Sequence, residues 1–432
     1  MKPHRYSIRA MAELAAYQVL AGAVSVFGAS TVPLLYKKFR RISEGFSHYL
    51  GRVPVPEKQP TIWVHGVSMG ESLVAIAFAS ELKKSFPKFP LVFTSTHPDV
   101  LRAVKQKAIA DVVAYFPLDT MLSMKRAFNR WKPAAIFVAE TDFWPVFSYY
   151  CNRKNVPLML INGRISDKIA DFYAKASGLA EVVFGAFDWF LVQTPADKAR
   201  LLKVGVEEKY IEVVGNMKAD LVVRPQAESL AEVAAWQGSR KLVVFGSLHQ
   251  SEFEQMSRTF AALVKNNIAI IIAPRNLKFC DEWKAQLQEQ GHEVCFKTEQ
   301  RESQIMILNT MGELSGLYAL ADAAFVGGSI DLHVGGHNPL EVIQQGVPIL
   351  IGPNYQNFAD IIQELKSQQA VKICETADEL GEMLLDLLNN KEYADNMTLR
   401  ATEVLNKNRG ALRKTLLKAE HALRQISSGV TA

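Results

Sequence analysis

The chain has 432 residues, of which 49% are hydrophobic and 22% charged, and its net charge is +5. This length is too great for one ordinary core and predicts two domains of about 150 to 200 residues each. The mild net charge does not indicate nucleic acid as a partner. Four scattered cysteines, Cys151, Cys280, Cys295 and Cys374, have neither zinc-site nor disulfide-framework spacing.

The N-terminal segment is the first element in chain order. Leu14 to Tyr36 are 23 residues without a charge, enough for a helix of about 34 Å that could cross a bilayer core. A basic cluster follows at once and would hold the C-terminal side in the cytoplasm. A single span and an anchor lying in the interface both fit this pattern, whereas the length of the stretch disfavours a cleaved signal peptide. We therefore predict membrane attachment.

Two series of short, β-rich runs follow. The first comprises TIWVHG, LVFTST, AIFVAE, PLMLING, WFLVQT and IEVVGN, and the second comprises KLVVFGS, IAIIIAPR, EVCFKT, QIMILNT, AAFVGGS and VPILIG. Amphipathic helical segments lie between the runs, which is the βαβ rhythm of a parallel sheet covered on both faces. We predict an α/β fold of two Rossmann-like, doubly wound domains facing a cleft. The predicted boundaries are 1–55 for the anchor and basic flank, 56–220 for the first domain, 221–240 for a linker, 241–410 for the second domain and 411–432 for a closing helix and tail.

Charged residues follow four predicted strands of the first domain. Glu71 follows the first strand, and Glu140, Arg164 and Lys218 follow later ones. Because parallel strands end at one edge of a sheet, we expect these four groups on one rim. Ser68 and Glu71 also match a capping box, Ser-x-x-Glu before an apolar run. From the local sequence, Glu71 either caps the helix or performs chemistry.

The second domain carries a glycine-rich stretch, 325–358. Its glycines would let a ligand approach backbone amides, and a helix is predicted to begin with Asn338 as N-cap, Pro339 as first residue and Glu341 at the third position. This too could be a capping box only. The N-terminus of such a helix suits a phosphate, which Arg275 could also bind. The histidines match no metal-ligand spacing, and we expect no metal.

These stretches together resemble the Kdo transferases, glycosyltransferases that transfer 3-deoxy-D-manno-octulosonic acid (Kdo) in lipopolysaccharide assembly. The resemblance rests on SMGE, ETDFWP, NGRISDK and GNMKAD in the first half, and on GSLHQSE, APR, MGEL, FVGGS, GGHNPLE and GPNYQNF in the second. It implies the GT-B architecture with an N-terminal membrane-anchor helix. The chain departs from the family pattern at Gly163, Asn276, Asn309 and Ile330 to Val334.

The resemblance also implies a role for each matching residue. Glu71 corresponds to the general base, and Glu140 and Lys218 to residues that support the transition state. The CMP part of the donor CMP-Kdo would be held by Pro274, Arg275, Met311, Gly312, Glu313, Asn338, Pro339, Leu340 and Glu341. Binding or support of the acceptor is expected of Ser68, Gly70 and Arg164. The positive charge of the basic flank, Lys37, Lys38, Arg40 and Arg41, could also meet the acceptor's phosphates at the membrane surface.

The implied reaction is an inverting transfer of Kdo from CMP-Kdo to a hydroxyl of the lipid A precursor, lipid IVA, at the cytoplasmic face of the inner membrane. Because CMP leaves with a single phosphate, neither a metal nor another cofactor is expected. Two other functions fit the architecture. One is a non-hydrolysing sugar-nucleotide epimerase, which would need no lipid anchor. The other is a silent binding protein for a lipid or nucleotide, which would bind CMP without transfer.

Overall fold

A computed structural model describes residues 6–31, 40–67, 69–221, 227–299 and 301–429. The chain divides into two compact units: a first unit of Met1–Leu221 with Arg409–Ala432, and a second unit of Val222–Asn408. The division falls at the start of the predicted linker. The helical part of that linker belongs to the second unit, whereas the C-terminal helix returns to the first.

The first unit is built on a parallel sheet that has seven strands within the described residues, in the order β3-β2-β1-β4-β5-β6-β7. The strands are β1 (Thr61–His65), β2 (Leu91–Ser95), β3 (Val112–Tyr115), β4 (Pro133–Ala139), β5 (Leu158–Gly163), β6 (Trp189–Val192) and β7 (Ile211–Val213). The helices are α1 (Ile8–Thr31), α2 (Arg40–Tyr49), α3 (Met69–Ser85), α4 (Pro98–Gln106), α5 (Met121–Trp131), α6 (Pro145–Arg153), α7 (Asp167–Lys175), α8 (Ser177–Phe184), α9 (Pro195–Lys203) and, at the other end of the chain, α19 (Ala411–Gly429). The strand order reverses between β1 and β4, which is where open α/β sheets bind ligands.

The second unit repeats this plan with the strand order β10-β11-β9-β8-β12-β13-β14. The strands are β8 (Leu242–Leu248), β9 (Ala269–Pro274), β10 (Val294–Phe296), β11 (Ile305–Ile307), β12 (Ala323–Val326), β13 (Ile349–Ile351) and β14 (Lys372–Ile373). The helices are α10 (Ala227–Gln237), α11 (Gln250–Phe253), α12 (Ser257–Lys265), α13 (Cys280–Glu289), α14 (Leu314–Leu317), α15 (Leu340–Gln344), α16 (Ala359–Ser367), α17 (Ala377–Asn389) and α18 (Lys391–Lys407). The reversal of strand order here lies between β8 and β12.

Strands β1, β2, β5 and β9 are buried at every residue. A strand covered by helices on both faces needs apolar side chains on both, which explains the continuous Val, Ile and Leu runs. The C-terminal helix α19 completes the core of the first unit, because Ala411, Ala419 and Leu423 are fully buried in the cluster around β1. Asp220 accepts the backbone N–H groups of Gly410 at 2.6 Å and Leu412 at 2.7 Å, which fixes the start of this helix.

The N-terminal helix α1 packs against the first unit. Ala10 and Leu14 are buried in its core. The carboxylate of Glu13 accepts the N–H of Leu179 at 2.8 Å, and the side-chain amide of Gln18 donates to the carbonyl of Asp119 at 3.3 Å. The first half of α1 is therefore an integral part of a protein core.

The predicted transmembrane anchor is not supported by this structure. In the ranges that the structure describes, no helix combines the length and the apolarity needed to cross a membrane. Helix α1 begins six residues before the uncharged stretch, includes Arg9 and Glu13, and carries Gln18 in its middle. The end of the predicted segment and the basic residues Lys37 and Lys38 lie outside the described residues.

Asp119 gives the attachment of α1 an expected pH dependence. Burial raises the pKa of its carboxyl to about 6, although the N–H groups of Val146 and Phe147 and the Tyr17 hydroxyl oppose this. The folded-state pKa therefore exceeds the unfolded one. The stabilisation from the protonated form is complete below about pH 4 and is lost as the pH rises through about 6.

We expect the Asp119→Asn variant to lose this dependence. Its unfolding free energy relative to wild type should rise by about 2 kcal/mol between pH 4.5 and pH 7, as measured by urea unfolding. Asp99→Asn, on the exposed face of α4, is the control and should show no such trend. An equal trend in both variants would show that the pH dependence does not come from the Asp119 carboxyl.

Candidate functional site

A buried ion pair lies at the carboxyl edge of the first sheet. Glu140 follows β4 and Lys218 follows β7, and the Lys218 Nζ lies 2.7 Å from the Glu140 Oε1. Only 6% of the Glu140 side chain and 14% of the Lys218 side chain are exposed, so both charges are largely removed from water. The Asn162 side-chain amide donates to the same oxygen at 3.1 Å. The structure thus brings together two of the four charged residues that the sequence placed on this rim.

The backbone around this pair is strained. Glu140 has a φ of +61° and Asn162 a φ of +50°, in the left-handed region that side-chain-bearing residues usually avoid. Such conformations cost about 1–3 kcal/mol each and cluster at functional sites. Asn162 also accepts the N–H of Met217 at 2.8 Å, and the N–H of Arg164 donates to the carbonyl of Glu140 at 3.2 Å. The loops after β4, β5 and β7 therefore form one network.

Removal of the Lys218 ammonium should be costly. In Lys218→Met the Glu140 carboxylate would stay buried with Asn162 as its remaining donor among the described residues, and breaking a buried pair in this way costs about 3–5 kcal/mol. We expect a loss of about 3 kcal/mol in the unfolding free energy, measured in urea. Lys209→Met, which breaks an exposed pair with Glu207, should cost less than about 1 kcal/mol. Equal costs for both variants would show that the Lys218 pair is not a buried-charge pair.

Glu71 lies in the first turn of α3, which begins at Met69 and includes Gly70. Strand β1, which precedes this turn, pairs with β4, so the turn and Glu140 follow neighbouring strands. Ser68 and the side chain of Glu71 lie outside the described residues, as do the side chains of Arg40 and Arg41 at the start of α2. The choice between capping and chemistry for Glu71 therefore stays a prediction.

His65 and Asp142 were not identified from the sequence. His65 is the last residue of β1 and is fully buried, with its Nε2 atom 3.4 Å from the Asp142 Oδ2. Its ring stacks on Phe116 with the ring centroids 4.0 Å apart. Burial lowers the pKa of His65 to about 3, so the imidazole is neutral. His65 could have been identified from the sequence, because a histidine that ends a buried strand, as in TIWVHG, indicates a candidate site residue.

The second unit holds a buried carboxylate, that of Glu252, which was also not identified from the sequence. Glu252 is fully buried. One of its oxygens accepts the N–H groups of Gly328 at 2.7 Å and His249 at 3.1 Å, and the other accepts those of Ser329 and Ile330, both at 2.9 Å. The motif GSLHQSE, with Glu252 three residues after the N-cap His249, was the signal here.

The contacts of Glu252 change one part of the predicted phosphate site. We expected the glycines after β12 to open backbone amides to a ligand. The amides of residues 328–330 instead form a concave anion-binding nest that the protein fills with its own carboxylate. The loop after β12 is thereby held at the end of β8, which is the switch point of the second sheet.

The segments predicted to hold the donor follow three strands of the second sheet. Pro274 and Arg275 come at the end of β9, Met311 to Glu313 follow β11, and Asn338 to Glu341 follow the loop after β12. Arg275 is exposed, and 69% of Met311 is exposed. Because these strands are parallel, all three segments lie at one edge of the sheet.

The segment from Asn338 to Glu341 differs in one detail from the prediction. Helix α15 begins at Leu340, one residue later than expected, although the Asn338 side chain does accept the N–H of Leu340 at 3.2 Å. The Glu341 carboxylate accepts the side-chain amide of Asn338 at 3.1 Å. Glu313 lies 3.3 Å from the Lys297 Nζ. Burial opposes ionisation of Glu313, but hydrogen bonds from Thr310, Ser229 and Lys297 lower its pKa.

A histidine pair lies near Arg275. The Nε2 atoms of His249 and His337 are 2.8 Å apart, so one must donate and the other accept. Burial, with the charges of Arg275 and His249, lowers the pKa of His337 to about 3. His337 is therefore neutral, and the guanidinium of Arg275 is a positive charge near it.

One departure from the family pattern has a packing reason. Gly163 ends β5, and a Cβ atom added there would lie 2.5 Å from the Leu160 Cδ2. Alanine would not fit unless Leu160 moved. The glycine at position 163 therefore leaves room for the Leu160 side chain.

Comparison with known proteins identifies the class of enzyme to which the chain is similar. Residues 41–221 match the family model described as 3-deoxy-D-manno-octulosonic-acid transferase (kdotransferase). The 3-deoxy-D-manno-octulosonic acid transferase of Haemophilus influenzae is 28% identical over 87% of this chain and 90% of its own length. The protein of the same name from Chlamydophila psittaci is 28% identical over 78% of this chain and 80% of its own.

Solved structures agree on the architecture. A glycosyltransferase from Rickettsia africae superposes with a TM-score of 0.57 at 12% identity, over 85% of this chain and 99% of its own. The UDP-GlcNAc 2-epimerase of Neisseria meningitidis reaches a TM-score of 0.56 at 12% identity, over 82% of this chain and 100% of its own. At such identities these likenesses show the fold alone, and they confirm the predicted pair of Rossmann-like α/β domains.

The chain is a glycosyltransferase. Within that class it is a relative of the Kdo transferases, and the resemblance noted in its motifs is confirmed.

Proposed function

We propose that the chain transfers Kdo from CMP-Kdo to a hydroxyl of the lipid A precursor, once or more than once, with inversion at the anomeric carbon. The observation that carries this proposal is the buried pair of Glu140 and Lys218 at the switch point of the first sheet. These are the residues to which the resemblance assigns transition-state support. The relatives that align along most of the chain carry the name of this activity.

In the proposed mechanism Glu71 removes the proton from the acceptor hydroxyl. The hydroxyl oxygen then forms a bond to the anomeric carbon of Kdo as the bond from that carbon to the CMP phosphate breaks. The leaving phosphate gains negative charge, which a cation would stabilise. The resemblance assigns support of the transition state to Lys218 and binding of the CMP part to Arg275. Glu140 would orient Lys218, since its carboxylate lies 2.7 Å from that nitrogen. No step in this scheme requires a metal.

The acceptor is a lipid, so we further propose that the protein works at the cytoplasmic surface of the inner membrane. The basic residues Lys37, Lys38, Arg40 and Arg41 would meet the acceptor's phosphates there. Attachment in this form needs no transmembrane helix.

The test is incubation of the full chain with freshly generated CMP-Kdo and lipid IVA, with the products weighed by mass spectrometry. We expect lipid IVA carrying one or more Kdo residues, and the count settles how many are added. An isomerised nucleotide sugar without acceptor would indicate an epimerase. CMP binding without any transfer would indicate a silent binding protein.

A further inference from the structure

A groove rich in aromatic side chains opens at the carboxyl edge of the first sheet. One wall is formed by residues 141–144 after β4. The other is formed by four residues of α7, which follows β5: Lys168, Ile169, Phe172 and Tyr173. Its volume is about 380 Å³, within the range of about 300–1,000 Å³ that is usual for ligand sites. The Tyr173 hydroxyl donates to the carbonyl of Phe143 at 3.2 Å and ties the walls together. We call this feature the aromatic groove.

The aromatic groove adjoins the buried ion pair. Its first wall begins at the residue directly after Glu140. The N–H of Arg164 donates to the carbonyl of Glu140, so the loops that lead into both walls are bonded to each other. A ligand in the aromatic groove would therefore lie beside the network that holds Lys218.

The aromatic groove combines an apolar surface with the ammonium group of Lys168. Phe172 is 56% exposed, which is unusual for a large aromatic side chain, and Ile169 is half-buried beside it. Lys168 is exposed and forms no ion pair within the part of the chain that the structure describes. Its acidic neighbours Asp167 and Asp171 are paired with Arg200 and Lys203 instead.

The carboxylate of Asp142, which belongs to the lining, lies close to a side chain of the same chain, His65. Asp142 is 9% exposed, and its Oδ2 atom lies 3.4 Å from the His65 Nε2. What a ligand meets is therefore mainly aromatic surface, with an ammonium group at the side. This is the complement of a hydrocarbon chain carried by an anionic head group.

We propose that the aromatic groove binds an acyl chain of the lipid acceptor, with Phe172 against the hydrocarbon and Lys168 against a phosphate of the sugar. This inference rests on the proposed function, because it names the part of the acceptor that the first unit recognises. The groove places this contact next to Glu140, on the unit that also carries Glu71.

The experiment compares two phosphorylated disaccharides: lipid IVA and the same molecule with its acyl chains cut to two carbons. Their dissociation constants are measured by calorimetry on the full chain in one detergent, and KM and kcat are measured for lipid IVA. Phe172→Ala should weaken the binding of lipid IVA and raise its KM by about tenfold, with kcat and the KM for CMP-Kdo unchanged. Binding of the short-chain compound should not change. Leu202→Ala, which removes a 42% exposed side chain from α9 outside the groove, is the matched control.

The outcomes separate the possible explanations. A loss below twofold for lipid IVA, or an equal loss for both compounds, would overturn the acyl-chain assignment; an equal loss would fit a general surface contact. Lys168→Gln should weaken the binding of both phosphorylated compounds and have no effect on a dephosphorylated lipid. If the wild-type chain binds lipid IVA but transfers no Kdo, the proposed function fails and the groove assignment survives.

Discussion

Glu71→Gln should fold normally and lose nearly all transfer activity. Glutamine serves a capping box nearly as well as glutamate, so we expect the unfolding free energy to stay within about 0.5 kcal/mol of wild type. Glutamine cannot accept the proton of the acceptor hydroxyl. General base catalysis contributes about 10²–10⁴ to a rate, and we expect a loss of that size in kcat.

The measurement is a transfer assay with CMP-Kdo and lipid IVA, run beside urea unfolding. The control is Glu81→Gln on the same helix α3, where the carboxylate forms an exposed pair with Lys84 and activity should be unchanged. CMP binding should be the same in both variants. Near-normal turnover by Glu71→Gln would end the base assignment and leave Glu71 as a helix cap.

Glu252→Gln should destabilise the second unit strongly. The carboxylate accepts four backbone N–H groups, two at each oxygen. Glutamine keeps one acceptor oxygen, so two buried donors would face an NH₂ group. Each buried donor left without a partner costs about 1–3 kcal/mol, and bonds to a charged acceptor are stronger than average. We expect a loss of about 3–5 kcal/mol in the unfolding free energy.

Unfolding in urea, followed by the tryptophans of the second unit, measures this loss. Glu254→Gln is a matched control two residues away, since that side chain is exposed, and its effect should stay within about 0.5 kcal/mol. Below the unfolding transition, Glu252→Gln should also bind CMP at least tenfold more weakly, because the loop after β12 loses its anchor. A variant as stable as Glu254→Gln would show that the nest does not hold this loop.

The sheets could be predicted from sequence because their strands are buried on both faces. A run such as IAIIIAP is apolar throughout, and no helix period competes with it. The strands β3 and β14 were missed. Both lie at sheet edges, and β14 has only two residues, too few for a pattern to form.

The candidate site was predicted in part, for a related reason. Charges that follow a strand can be found by position, and Glu140 with Lys218 was found in this way. Glu252 and Asp142 also follow strands, but their roles could not be read from position, because each carboxylate contacts backbone or a neighbour that only the folded chain brings near. The spanning helix predicted for the N-terminal segment is not supported by the described residues. Hydropathy does not distinguish a helix that faces lipid from one that faces a protein core, as Leu14 does.

The return of α19 to the first unit has a consequence for synthesis on the ribosome. The chain must pass through the whole second unit before Ala419 and Leu423 reach the core around β1. Until then the nascent first unit exposes the apolar face that these side chains cover, and a growing chain with such a face is prone to aggregate or to engage a chaperone. Folding of the first unit is therefore finished only after α19 has been synthesised, whereas the second unit has all its residues earlier.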